Sequence, residues 1–151
     1  MVGTRTLRPL SPLDWLPAFA VGEERLDREH RVLMRDINEL TDLVFECPSW
    51  SSVVAKCEKI RKNTIEHFKT EEEVLERTAY PQFAHHRSVH RHLRQQLDDL
   101  VGHLLLVPHA SRTDIEAALH LRSMLIDHFF RKDIAYKSHI LRSRGGNEHR
   151  P

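Results

Sequence analysis

In HFKTEEEVLERTAYPQFAHHRSVH, residues 67 to 90, two pairs of chemically active side chains stand four residues apart: His67 with Glu71, and His86 with His90. Residues at i and i+4 of a helix share one face, about 5–6 Å apart, so each pair can aim two donors at one point. Imidazole and carboxylate are both metal ligands. The chain is unusually rich in histidine, with 12 in 151 residues and no terminal tract. At that density one HxxxH pair arises by chance, and a lone histidine on an apolar face is more often a satisfied core or rim residue.

The pairs gain meaning from the elements that carry them. Four stretches have apolar residues recurring at i+3 and i+4, the period of an amphipathic helix. The first reads Leu26, His30, Leu33, Ile37, Leu40, Val44, and stops near Pro48. The second reads Val53, Cys57, Ile60, Thr64, His67, Glu71, Leu75, and ends at Ala79-Tyr80-Pro81. The third reads Phe83, His86, His90, Leu93, Leu97, Leu100, Leu104, and stops at Pro108. The fourth, capped by Ser111 or Thr113, reads Ala118, Leu121, Leu125, His128, Asp133, Tyr136, Ile140. Four helices of roughly 20–30 residues on short loops imply an all-α, up-down-up-down antiparallel four-helix bundle. The expected boundaries are an extended arm over residues 1–22, a bundle over 23–143 and a disordered tail over 144–151. Pro9, Pro12 and Pro17 mark the arm, which Trp15, Leu16 and Phe19 could pin to the body.

His30, His67, Glu71, His86, His90, His128 and Asp133 thus replace apolar residues in four separate stripes, near mid-helix. His128 and Asp133, five apart, lie about 140° around an α-helix and should straddle the inward midline rather than stack. His109 and Asp114 share that spacing but flank a break. Burying one unpaired polar group costs about 1–3 kcal/mol. Seven would cost about 7–20 kcal/mol, comparable with the whole 5–15 kcal/mol stability of a domain. Hydrogen bonding among the seven could offset part of this, and metal coordination satisfies all of them. Seven donors exceed the four of a structural zinc site, and two carboxylates able to bridge suggest two metals. Imidazole with carboxylate suits iron, while the Glu-x-x-His motif of ferritin-like di-iron bundles is absent.

Composition narrows the rest. With 23 basic and 22 acidic residues the net charge is +1, which suggests neither a nucleic-acid nor a membrane-surface partner. Cys47 and Cys57 form no CxxC pair and no disulfide framework. No apolar run approaches the roughly 20 residues that span a bilayer, and the first residues lack a secretory h-region. A cytoplasmic setting and a monomer are the expectations.

The set H…HxxxE…HxxxH…HxxxxD closely resembles the hemerythrins, and specifically the bacterial single-domain group. The resemblance spans about residues 14–140. Its motifs are Trp15 before the first helix, VGEERLDREHRVLMRDINEL around His30, HFKTEE from His67, AYPQFAHHRSVH, and HFFRKDIAY. It implies two iron ions with an oxo or hydroxo bridge: His86, His90 and His128 on one iron, His30 and His67 on the other, Glu71 and Asp133 bridging. The second iron would keep an open position. The chain departs from the family pattern at Met124, where Trp is common, and at Leu75, where Met is common.

The activity so implied is reversible O2 binding, for carriage, storage or delivery, rather than enzymatic turnover. Leu26, Leu33, Ile37, Leu125 and Phe129, one turn from the ligands, are the expected walls of an apolar ligand pocket. The same site could instead sense O2, nitric oxide or redox state, bind small anions, or act as a di-iron peroxidase or nitric oxide reductase. A purely structural bundle would fold well without metal. His85, His92, His103, His120 and His139 are expected at the surface, and Glu72 and Glu73 on a solvated face.

Overall fold

Serine caps open two of the four main helices, and local turns set most of the other ends. The computed structural model describes residues 10–46 and 49–146. Pro9, Cys47, the expected breaker Pro48 and the end of the expected tail, 147–151, lie outside the described residues. Helices α1 (Glu24–Glu46), α2 (Trp50–Arg77), α3 (Phe83–Leu106) and α4 (Arg112–Asp127) follow in order. α4 continues through a π turn (His128–Lys132) and a 3-10 turn (Ile134–Tyr136) into α5 (Lys137–Gly145). The fourth column of the bundle is therefore one interrupted helix, and Arg144 and Gly145 belong to it. Among the described residues there is no strand. α2 packs on α1 and on α3, and α4 packs on both α3 and α1, closing an antiparallel four-helix bundle.

The helix ends follow from side-chain chemistry. Ser49 caps α2 by accepting from the Ser52 amide. At its other end Ala79 takes a left-handed φ of 53°, and the Tyr80 amide donates back to the Leu75 carbonyl at 2.9 Å. At α4, Ser111 and Asp114 satisfy each other's amides in a capping box. Ser111→Ala should cost about 1 kcal/mol, lowering the melting temperature by about 2–4 °C in a calorimetric scan. Just before α1, Gly22 takes a left-handed φ of +90°, a conformation that favours glycine. The buried Asp27 carboxylate accepts there from the Val21 and Gly22 amides.

The apolar stripes condense into two clusters. The larger joins Leu33, Ile37 and Leu40 of α1 to Ile60 and Phe68 of α2, Leu93 and Leu97 of α3, and Leu121 and Leu125 of α4. The smaller joins Val21, Leu26, Val74, Leu75, Tyr136 and Ile140. His30, Glu71, His86, His90 and Asp133 fall between the two along their helices. Leu100, on the expected third stripe, is only half-buried, and Val101 beside it is fully buried. Cys57 is a buried free thiol, pushed up to about 12 by desolvation.

The arm is held at specific points. Leu13 exchanges two 2.8 Å hydrogen bonds with the Asn38 side chain. Arg31 lies 4.6 Å over the Trp15 ring, and Phe19 packs on Phe130 at 4.3 Å. Leu16, expected to share this task, is 51% exposed; the backbone latch at Leu13 replaces it.

Candidate metal centre

Each bundle column contributes to one buried cluster. α1 brings His30, α2 brings His67 and Glu71, α3 brings His86 and His90, and the π-turn segment brings His128 and Asp133. All seven are at most 6% exposed. The imidazoles turn their Nε2 atoms inward onto the two carboxylates. Asp133 Oδ2 stands 3.0 Å from His30 Nε2 and 3.7 Å from His67 Nε2, and Asp133 Oδ1 3.0 Å from His128 Nε2 and 3.5 Å from His86 Nε2. Glu71 Oε2 stands 3.0 Å from His86 Nε2 and 2.8 Å from His90 Nε2.

The geometry corrects one expectation. His128 and Asp133 do not straddle the face. The Asp133 amide donates to the His128 carbonyl at 3.1 Å, an i→i+5 bond. That bond adds a residue to the turn, so residues five apart come into line. The π turn thereby brings an imidazole and a carboxylate of one chain segment to the same point.

Proximity here is not satisfaction. His67 Nε2, His90 Nε2, His128 Nε2, Glu71 Oε1 and Asp133 Oδ1 are buried without a hydrogen-bond partner. His90 Nε2 lies near Glu71, but not along a hydrogen-bonding direction. Orphaned buried donors and acceptors are rare in folded proteins and require a cause. Cations would satisfy them, one beside His90 and His128 and another beside His67, with Glu71 and Asp133 in reach of both. Two groups could hold one: Glu71, His86, His90, His128 and Asp133, and His30, His67, Glu71 and Asp133, with candidate ligand atoms within 4.8 Å of one another. Both carboxylates belong to both groups.

Without a cation, protons take part of its role. Burial opposes the charged imidazole of His67, but the nearby Asp133 and Glu71 carboxylates and the hydrogen bond to Glu29 outweigh it and raise His67 to about 10. Burial and the neighbouring Asp133 charge both push Glu71 up, yet the hydrogen bond from His86 and the close imidazoles of His90 and His67 hold it down at about 2. Burial likewise opposes ionised Asp133, and the surrounding imidazoles keep it well below its usual range.

Four participants were not expected. His67 Nδ1 donates to Glu29 Oε2 at 2.9 Å, and Thr70 Oγ1 donates to the other Glu29 oxygen at 3.0 Å. His90 Nδ1 donates to Glu72 Oε1 at 2.9 Å, so Glu72 is half-buried and engaged rather than merely solvated. The Tyr136 hydroxyl is buried with no hydrogen-bond partner; desolvation, then the Glu71 charge, push it well up. Glu29 beside His30 and Glu72 beside Glu71 were visible as adjacent acids, but their partners sit on other helices. A carboxylate on the outer nitrogen fixes the imidazole's orientation and raises its basicity. Glu72→Gln and Glu29→Gln should each weaken metal retention about 10–100-fold, read by metal analysis after competition with a graded chelator.

Among the other histidines, His85, His92, His103, His109 and His120 are exposed. His139 is not simply a surface residue: half-buried, it donates to the Thr78 carbonyl at 2.9 Å and ties α5 to the end of α2. Of the expected pocket walls, Ile37 and Phe129 line a small apolar cavity of about 10 Å³ against His30. Leu13, Trp15 and Phe19 close it from the arm, with Met34, Ile126 and Phe130 beside them. Leu33 and Leu125 pack in the larger core and Leu26 in the smaller, none of them on that cavity. Leu75 is also in the smaller core, and Met124 flanks the larger one, so neither departure touches the cavity.

No helix among the described residues is long and apolar enough to cross a membrane. Residues 21–138 match the family model of the hemerythrin HHE cation binding domain. Similar proteins include a myohemerythrin of Theromyzon tessulatum, 27% identical over 85% of this chain and 94% of that protein. Another is a myohemerythrin of Sipunculus nudus, 24% identical over the same shares. The fold superposes on the crystal structure of a hemerythrin point mutant with a TM-score of 0.74 at 20% identity, covering 87% of this chain and 98% of that one. With most of its length matched by that domain, and a cluster able to hold a cation where its four helices converge, this chain belongs to the hemerythrin family.

Proposed function

We propose that the chain binds O2 reversibly at a pair of iron ions held by His30, His67, Glu71, His86, His90, His128 and Asp133. The observation that carries this reading is the overlap of the two donor groups at Glu71 and Asp133. Two groups that share both carboxylates are what a bridged metal pair requires. Imidazole and carboxylate suit ferrous and ferric iron. When bound, the iron pair supplies the two electrons by which O2 is taken up and returned.

The protein's own residues account for the rest. His86, His90 and His128 with the two carboxylates make a five-residue donor group, whereas His30 and His67 with the same carboxylates make only four. The leaner group is the side where a small ligand would find room, as open positions do in metal sites that bind exchangeable ligands. The apolar cavity abuts His30 on that side. Phe129 stands 5.3 Å from the His30 ring and 5.7 Å from the His67 ring, excluding water from it. Glu29 and Glu72 orient His67 and His90 from behind. Such a dry, walled pocket favours ligand return over protonation and loss.

Metal analysis together with the visible spectrum tests the proposal. Iron-loaded protein should contain two irons per chain, gain a visible band on exposure of the reduced form to O2, and lose it under vacuum. One iron per chain, zinc alone, or a band that never reverses would overturn it. Sustained turnover of hydrogen peroxide or nitric oxide would favour an enzyme instead.

A further inference from the structure

We infer that the groove between α2 and α3, which meets the metal cluster only at His90, is a binding site for a small phosphate-bearing anion. Arg87, Arg91 and Arg94 stand at i, i+4 and i+7 of α3, and Lys69 faces them from α2 across an opening of about 200 Å³. Ile65 and Phe68 form an apolar floor. The chain as a whole has a net charge of only +1, so four cations on one small opening are a local concentration.

The acids around the groove leave that charge largely available. Glu72, the one carboxylate in the lining, already accepts from His90 Nδ1 and meets Arg87 at 3.6 Å. Asp98 lies 3.9 Å from Arg94 and is held more closely by Arg61 at 2.8 Å. Lys69 pairs with Glu66 in a pair at least 60% exposed on both sides. Exposed pairs of this kind are worth about 0–1 kcal/mol, so an incoming dianion displaces them readily. Arg91 makes no ion pair among the described residues. Guanidinium groups bind phosphate oxygens bidentately, which favours phosphate over a monovalent anion. Seven residues of rise put Arg87 and Arg94 about 10 Å apart along α3, a span suited to two phosphates on one small molecule. Because Arg87 touches Glu72, which orients His90, the occupant would sit directly behind one wall of the metal cluster.

Calorimetric titration of the full, metal-loaded chain at low ionic strength tests this, with inorganic phosphate and fructose bisphosphate as probes. The bisphosphate should bind about tenfold or more tighter than phosphate, and R91Q/R94Q should weaken it about tenfold or more. The control R112Q/R142Q removes the same charge elsewhere and should leave binding unchanged. Iron content and the visible spectrum of R91Q/R94Q should match those of the parent protein. The titration reads phosphate binding rather than oxygen binding, so it stands whichever metal fills the cluster. No bisphosphate heat, equal weakening by both double variants, or tighter binding of a short oligoglutamate peptide (which would assign the groove to an acidic protein) would overturn the inference.

Discussion

Asp133→Ala is expected to leave the chain with less than one bound metal ion and to destabilise it by about 3–5 kcal/mol, the cost of breaking a buried ion pair by removing one partner. Asp133 is fully buried and lies within 3.7 Å of four imidazoles, those of His30, His67, His86 and His128. It is also common to both groups able to hold a cation, so its loss removes a donor from each. Asp133→Asn separates shape from charge. The amide fills the same volume and still accepts hydrogen bonds, so folding should largely recover while metal content does not. His85→Ala, one residue from a cluster member but exposed, should change neither. Metal analysis and thermal melts of the three variants decide the matter. Full metal occupancy in Asp133→Ala would place the ligands elsewhere.

Metal-free protein should lose stability as pH rises from about 6.5 towards 10, while metal-loaded protein should not. The sign follows from the direction of each shift. His67 is raised from 6.5 to about 10 in the fold. Its stabilising contribution is therefore complete below pH 6.5 and lost as pH climbs through 10. Glu71 is depressed from 4.5 to about 2, so its contribution is complete above 4.5 and lost as pH falls through 2. The metal-free chain is thus best satisfied between pH 4.5 and 6.5. A bound metal takes the deprotonated imidazole and stabilises the folded state by mass action. The gap in melting temperature between loaded and chelator-treated protein should accordingly widen from pH 6 to pH 9. A metal-free melting temperature that climbs over that interval would contradict the protonated His67–Asp133 pairing.

Much of the cluster was legible in the chain. His67 and Glu71, like His86 and His90, share a face because the helical period is local and needs no partner to define it. Mid-stripe positions predicted burial, and all seven residues are buried. Glu29 and Glu72 were not legible. Each is the neighbour in sequence of a cluster residue, yet each serves a histidine on the next helix, Glu29 on His67 and Glu72 on His90. Which residues meet across a helix pair depends on the rotation and axial offset of the two helices, a result of packing the whole core. His139 was misjudged for a related reason: its partner, Thr78, is 61 residues away in the chain.

By itself the sequence determined the four amphipathic helices, the Ser111 cap of α4 and the donors set into their apolar faces, because these depend on spacings within one or two turns. Tertiary structure alone decided the π turn that swings Asp133 into line with His128. It also decided the seating of Leu13, Trp15 and Phe19 over the cavity at His30, and the α2–α3 groove with its arginines. A π turn gives up regular helical hydrogen bonding and persists only when the contacts it permits outweigh that loss. Those contacts reach to three other helices, where no local reading of the chain could find them.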